Sequence, residues 1–362
     1  MKRRLMGRAS RRQFLKNSVS VAVAAPAVAN LLPNLAMAQN RQVNVYNWDT
    51  YIGETTLDDF GAATGIEVRY DLFADNAELF ARFREGNPGY DVICPTNDFA
   101  ERMILADMLQ PLDQSKIPNF ANVDPNFQDA AFDPGRVYSM PYFWGTIGIG
   151  YRTTRTASEP NSWGFVFDDS DAYAGRISWL SEPSTVIQMA LKRLGYSLNE
   201  ADPARIEEAV QLLIASKGNV RSIAGDNGQD LLLSGEVNLA MEWNGDILQV
   251  MEEDDDLSFA NPSEGGLIWQ DVWAVPNDAP HVDEAHEFIN YILEADVHAA
   301  IADFIYYALP NAAAKDLMSA DYLENPAIFP PDDVIARGES AKYLGEEVTR
   351  LYNEGMTRVR AA

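Results

Sequence analysis

Residues 43–70 read VNVYNWDTYIGETTLDDFGAATGIEVRY, and this stretch decides the fold class. Val43-Asn44-Val45-Tyr46 alternates with the two-residue period of a strand. Leu57, Phe60, Ala62 and Ala63 then predict a short helix after Thr55 or Thr56, either of which can cap its first turn. Gly61 weakens that helix, and Gly65 fits the left-handed position that ends one. Ile66–Tyr70 resumes as a strand. Strand, helix, strand is the repeating unit of a parallel α/β sheet. Outward from here the pattern predicts a helix over 77–84 and a short buried strand over 91–94. A second region opens near Gly145, with Gly148 and Gly150 in a strand over 147–151 where the chain crosses between lobes. Further strands are expected over 237–243 and 269–276, helices over 207–213 and 284–293, and a charged helical tail over 333–359. A chain of 362 residues suits two lobes of about 150 residues each. The expected division is 39–145 plus about 274–308 for the first α/β lobe, and about 146–273 plus 309–362 for the second with its C-terminal helices.

Residues 1–38 stand apart. They hold Lys2, Arg3, Arg4, Arg8, Arg11, Arg12 and Lys16 and no acid, then an alanine-rich apolar stretch from Val19 to Ala29, then Ala36-Met37-Ala38. A basic start, an apolar middle and a small-x-small end make the layout of an export signal, cleaved after Ala38. The apolar stretch is about half of the ~20 residues a spanning helix needs, which argues against an anchor. Ser10-Arg11-Arg12-Gln13-Phe14-Leu15-Lys16 resembles the twin-arginine export motif. The expected location is the periplasm. Losing seven basic side chains takes the formal charge from −26 to −33. So acidic a chain excludes nucleic acid as a partner, since phosphate backbones need a basic surface, and draws cations instead. Cys94 is the one cysteine, so no internal disulfide forms, and its run Val92-Ile93-Cys94 reads as core. The five acids 252–256 read as a solvated loop, lacking the Gly and closing Glu of an EF-hand.

The usual signs of catalysis are missing. His281, His286 and His298 fall near one predicted helix without zinc-protease spacing, and read as helix-surface residues. There is no Gly-x-Ser-x-Gly elbow and no P-loop, and Gly148-x-Gly150 is not continued as a dinucleotide fingerprint. No cofactor and no metal are expected. What stands out is a set of aromatic residues beside acids or amides: Trp48-Asp49-Thr50-Tyr51, Trp243-Asn244-Gly245-Asp246, Trp269-Gln270-Asp271 and Tyr306-Tyr307. Three of these sets lie near strand ends, where open α/β sheets bind ligands. Trp269 and Asp271, two apart, point to one face. This chemistry suits an alkyl polyamine. Each carboxylate–ammonium contact is worth about 1.5–3 kcal/mol, and each aromatic face over a cation about 0.5–2 kcal/mol.

Specific markers run along the chain: Val45-Tyr46-Asn47-Trp48, Thr64-Gly65-Ile66-Glu67-Val68, Tyr90-Asp91-Val92-Ile93, Pro141-Tyr142-Phe143-Trp144-Gly145, Gln188-Met189-Ala190-Leu191, Gly235-Glu236-Val237-Asn238-Leu239 and Glu264-Gly265-Gly266. In these the sequence, over roughly residues 43–360, resembles the periplasmic spermidine- and putrescine-binding proteins of polyamine ABC importers. The tail Asn325-Pro326-Ala327-Ile328-Phe329-Pro330-Pro331 looks most like the putrescine-binding branch. The resemblance implies a periplasmic binding protein fold of type II, in which two α/β lobes close on a cleft by hinge motion. It implies a polyamine ligand, a permease and ATPase complex as membrane partner, and a monomeric binding protein. It also implies positions. Trp48 and Tyr51 match the family's first aromatic pair, with Asp49 between them. Thr96 matches a hydroxyl residue after Pro95, Trp243 and Trp269 match aromatic walls, and Tyr307 matches a further aromatic contact. Asp246 matches an acid of the putrescine branch, and Asp271 the acid that grips an amine.

The sequence departs from the family in three places. Thr185 stands where relatives carry a Glu that holds an ammonium group, with Glu182 close by as a substitute acid. Asp49-Thr50 reverses the family's order of hydroxyl then acid, and Asp98 replaces a Tyr or Ser. Asp98, Glu182 and Thr185 are therefore candidates beside the aromatic set. Three other readings stay open: a binding protein for another cationic solute, an exported hydrolase using two carboxylates, and a chemoreceptor partner that reports on ligand.

Overall fold

Val43, Val45, Tyr46 and Asn47 are all buried, so strand β1 (Gln42–Trp48) is covered on both faces. That is the environment of a strand inside a parallel sheet. The computed structural model describes residues 41–168, 171–225 and 227–362; the export-signal reading of residues 1–38 lies outside them. β1 runs parallel to β2 (Glu67–Phe73) on one side and β3 (Val92–Ile93) on the other. Then follow β4 (Ser139–Arg152), β5 (Ile177–Leu180), β6 (Val220–Ala224), β7 (Leu239–Trp243), β8 (Leu257–Ala260) and β9 (Ile268–Ala274). Among the described residues the sheet order is β2-β1-β3-β9-β4-β7-β5-β6, with β8 also on β4.

Two parallel groups, β2-β1-β3 and β7-β5-β6, are thus joined through antiparallel strands. β4 is the joint. Its first part, Ser139–Thr146, pairs with β9, and its second part, 147–152, pairs with β7 and β8. The registers Gly145↔Trp269 and Ile147↔Trp243 bring two tryptophans from distant sequence beside one strand. Gly145 has to be glycine. A Cβ there would lie 2.4 Å from Asn244 Oδ1 and 2.6 Å from the Trp269 ring.

The first helix, Thr56–Thr64, buries Phe60 and ends on Gly65 at φ 73°, whose N–H bonds Gly61 O. Thr55 occupies the N-cap position, but its hydroxyl donates to Asp59 Oδ2 at 2.7 Å and does not cap the backbone. The Asn76–Phe83 helix is capped by Asp75, which accepts from Glu78 N.

Several expectations are corrected. The tail is two helices, Asp332–Arg337 and Glu346–Ala361, because Gly338 packs against Ile268 with no room for a Cβ and Gly345 takes φ 94°. The Pro183–Arg193 helix has no clear sequence signal because residues 185–192 are all buried, which erases a polar face. The histidines are not a surface set. His286 is buried, and its Nε2 accepts from Asp113 N at 2.9 Å. His298 is buried with Nε2 3.0 Å from Tyr142 O, and burial lowers its pKa to about 3. His281 sits 3.0 Å from Asp91 Oδ2. In the acidic loop, Asp254 and Asp256 each pair with Arg152 at 2.9 Å, so two of the five acids are structural. Cys94 is buried and free.

Candidate functional site

Each candidate side chain is delivered by an element that stops at one place. Trp48 is the last residue of β1, and its Nε1 donates to Cys94 O at 2.9 Å, which fixes the ring. The chain then turns through Thr50 at φ 50° to bring Tyr51 back, buried, with its carbonyl accepting from Tyr142 Oη at 2.8 Å. Thr96 follows β3 at the head of the Asn97–Leu105 helix. Trp243 ends β7 and opens the Asn244–Met251 helix, whose first turn holds Asp246. Trp269 and Asp271, two apart on β9, share one face of it. Tyr306 takes φ 61° after the Ala295–Ile305 helix, and this left-handed turn redirects the chain at Tyr307.

Trp48, Asp49, Tyr51, Thr96, Trp243, Asp246, Trp269, Asp271 and Tyr307 line one cavity of about 350 Å³. The rings meet edge to face, as their quadrupoles favour. Trp243 and Trp269 lie 5.9 Å apart at 81°, Trp269 and Tyr307 5.0 Å at 76°, and Tyr51 and Tyr307 5.3 Å at 81°. Gly245 is required here too, since a Cβ would lie 2.5 Å from the Tyr307 ring. Tyr307 Oη accepts from Asp246 N at 3.2 Å. Asp246 and Asp271 are 5% and 6% exposed, so both acids face the cavity more than solvent.

Asp271 is held by short bonds. Thr96 Oγ1 donates to its Oδ1 at 2.7 Å, and Asn76 Nδ2 donates to Thr96 Oγ1 at 3.0 Å. Burial pushes the Asp271 carboxyl up to about 7; hydrogen bonds from Thr96 and Tyr51 oppose that, and Asp98 and Asp246 add to it. None of these influences is a cation. An acid in such a place favours any bound positive charge.

The other three candidates lie elsewhere. Asp98 and Glu182 line an adjoining cavity of about 570 Å³, together with Arg102, Gln188, Lys342 and Tyr352. Thr185 is buried on the Pro183–Arg193 helix and lines neither cavity. Glu182 is 6% exposed and its Oε1 has no partner; burial pushes this carboxyl well above the ordinary range. Asp98 rises to about 6, mainly from burial, held back by its own N–H and that of Phe99. Sequence reasoning missed Asn76, which bonds Thr96 and Glu182 from the start of a helix, where an Asn ordinarily reads as a turn residue. Among the described residues, no group of three or more His, Cys, Asp or Glu could hold a metal ion, and no helix is long and apolar enough to cross a membrane.

The family of bacterial extracellular solute-binding proteins matches residues 55–330. The chain is 32% identical to the putrescine-binding periplasmic protein of Escherichia coli, covering 97% of this chain and 98% of that one. It is 33% identical to the spermidine/putrescine-binding periplasmic protein of the same organism, over 89% and 92% of the two chains. Among solved structures, a putative spermidine/putrescine ABC transporter protein from Listeria monocytogenes superposes with TM-score 0.84 at 31% identity, over 88% of this chain and 99% of the other. Its overall architecture is therefore that of the periplasmic binding proteins, and the chain belongs to the family of bacterial extracellular solute-binding proteins.

Proposed function

We propose that this chain captures a polyamine, putrescine or spermidine, in the aromatic cavity and delivers it to a membrane permease and ATPase complex of an ABC importer. One observation carries the reading: two buried carboxylates, Asp246 and Asp271, open into a cavity walled by Trp48, Trp243, Trp269 and Tyr307. Asp271 and Asp246 neutralise ammonium groups, and the indoles cover the methylenes between them. Tyr51, Thr96 and Tyr307 supply polar edges, with Asp49 at the rim. The names of the relatives, which are putrescine- and spermidine-binding proteins, support the same ligand class. The protein acts as a carrier rather than a catalyst.

The lobes in this reading are 39–145 plus about 274–308 and about 146–273 plus 309–362, with β4 and β9 running between them. The protein is a periplasmic monomer, exported by the twin-arginine route and cleaved after Ala38. A second reading is another cationic amine, since the resemblance places an acid at the position of Thr185, which here is uncharged and lines neither cavity. The test is a thermal-shift screen of residues 39–362 against putrescine, spermidine, cadaverine, spermine, amino acids and sugars. A ligand that binds only the folded chain stabilises it by about 2.7 kcal/mol at a hundredfold excess over its dissociation constant. A shift with a polyamine alone supports the proposal. A shift with some other solute and none with any polyamine refutes it.

A further inference from the structure

Thr96 and Asn76 form a doubly hydrogen-bonded pair that stands between an acid of the aromatic cavity and an acid of the second one. Asp271 bonds one side of it, through Thr96 Oγ1. Glu182 bonds the other, through Asn76. Asp98 lines the second cavity beside Glu182, and Tyr352, from the Glu346–Ala361 helix, presents a buried hydroxyl there that lacks a partner, as does Glu182 Oε1. The surroundings of these acids offer little compensation. Asp271 is faced by the hydroxyls of Thr96 and Tyr51 and by the acids Asp98 and Asp246. Glu182 is faced by Asp98, Asp75, Asp271 and the Asn76 amide. Asp98 is faced by Glu101 and by Arg102. Arg102 is committed elsewhere, bonding both oxygens of Glu346 at 2.8 and 3.1 Å and stacking 3.7 Å from the centre of the Phe80 ring. Lys342 lines the cavity from an exposed position. A row of carboxyls so placed cannot be ionised throughout without a cation among them.

We propose that this row is a proton store, and that the chain takes up its cationic ligand by exchanging protons for ammonium groups. In this exchange the second cavity gives up its protons to a ligand longer than a diamine. The inference rests on the polyamine reading and adds its coupling to pH. In the exchange a carboxyl O–H bond breaks and its proton goes to water. The resulting carboxylate accepts an N–H from an ammonium group that keeps all its own protons. The carboxyls of Asp271, raised to about 7, and of Asp98, raised to about 6, both mainly by burial, put the exchange near neutral pH. Affinity then rises with pH, because the ligand binds the deprotonated form.

The experiment is calorimetric titration of residues 39–362 with putrescine and with spermidine near pH 7, in phosphate and in imidazole buffer. The dependence of the apparent heat on the ionisation enthalpy of the buffer counts the protons released. The expected count is about one half for putrescine, because a carboxyl raised to about 7 is half protonated at pH 7, and higher for spermidine, with the putrescine dissociation constant weakening by up to about tenfold per pH unit on acidification below 7. Glu182→Gln combined with Asp98→Asn brings the spermidine count down to the putrescine count. Clear binding with no proton released overturns the store and leaves the polyamine reading standing. Equal counts for the two amines in the unaltered chain overturn the part assigned to the second cavity. No binding of either amine overturns the polyamine reading and the store together.

Discussion

On one side of Thr96, Asp246 and Asp271 are enclosed by indole and phenol rings; on the other, Asp98 and Glu182 share their cavity with Arg102 and Lys342. Both cavities hold acids beside apolar side chains, but only the first has indoles among its walls. Charge alone does not distinguish an amine from a metal ion or a proton. The indole and phenol rings that meet edge to face beside that charge add apolar faces on which the methylenes of an alkyl diamine would lie.

Asp271→Asn tests the contrast hardest. It keeps the shape and the Thr96 contact but removes the charge, and should raise the putrescine dissociation constant by roughly 10- to 100-fold in calorimetry; an unchanged constant removes Asp271 from the site. Gly145→Ala attacks the scaffold of the same cavity. The added methyl meets Asn244 and Trp269, so a loss of about 1–3 kcal/mol is expected in urea unfolding. Trp243→Ala, at the half-buried wall, should weaken binding by roughly two- to thirtyfold, with a loss of stability as well because its ring packs on Trp269 and the core. The pH dependence of the ligand-free chain is subtler. Folded Asp271 holds a proton up to about 7 that the unfolded chain loses near the ordinary value of about 4, so the stability it contributes is full in acid and lost as pH rises through 7. The melting temperature should therefore fall between about pH 5 and pH 8, and Asp271→Asn should flatten that slope. Glu182→Gln should raise the melting temperature at about pH 8, since a neutral amide needs neither a buried charge nor a proton held against that pH.

Much of this was legible because the signals are local. Trp48, Trp243, Trp269 and Tyr307 each sit beside an element end that the hydrophobic pattern marks, and Gly65 ends its helix as its position suggests. The nine residues that line one cavity came from five places in the sequence, three of which carry an aromatic and an acid together. What was not legible depends on side-chain direction. Glu182 and Thr185 are three apart, yet Glu182 precedes the Pro183–Arg193 helix while Thr185 turns into its packed interior. Asp98 follows Thr96 by two residues, but the helix that starts between them turns it into the second cavity. The histidines were misread because burial on a neutral imidazole leaves no composition signal. His298 is an ordinary core residue bonded to a carbonyl.

β4 is a single covalent strand, 14 residues long, common to both parts of the sheet. Mechanically it is an axle. Trp269 is registered on Gly145 and Trp243 on Ile147, two residues further along the same shaft. The two indoles touch edge to face across that spacing, so the shaft that carries both sets the angle at which they meet. Torsion of β4 between those points would turn one ring against the other, at a place where Gly145 has no side chain to brace the strand.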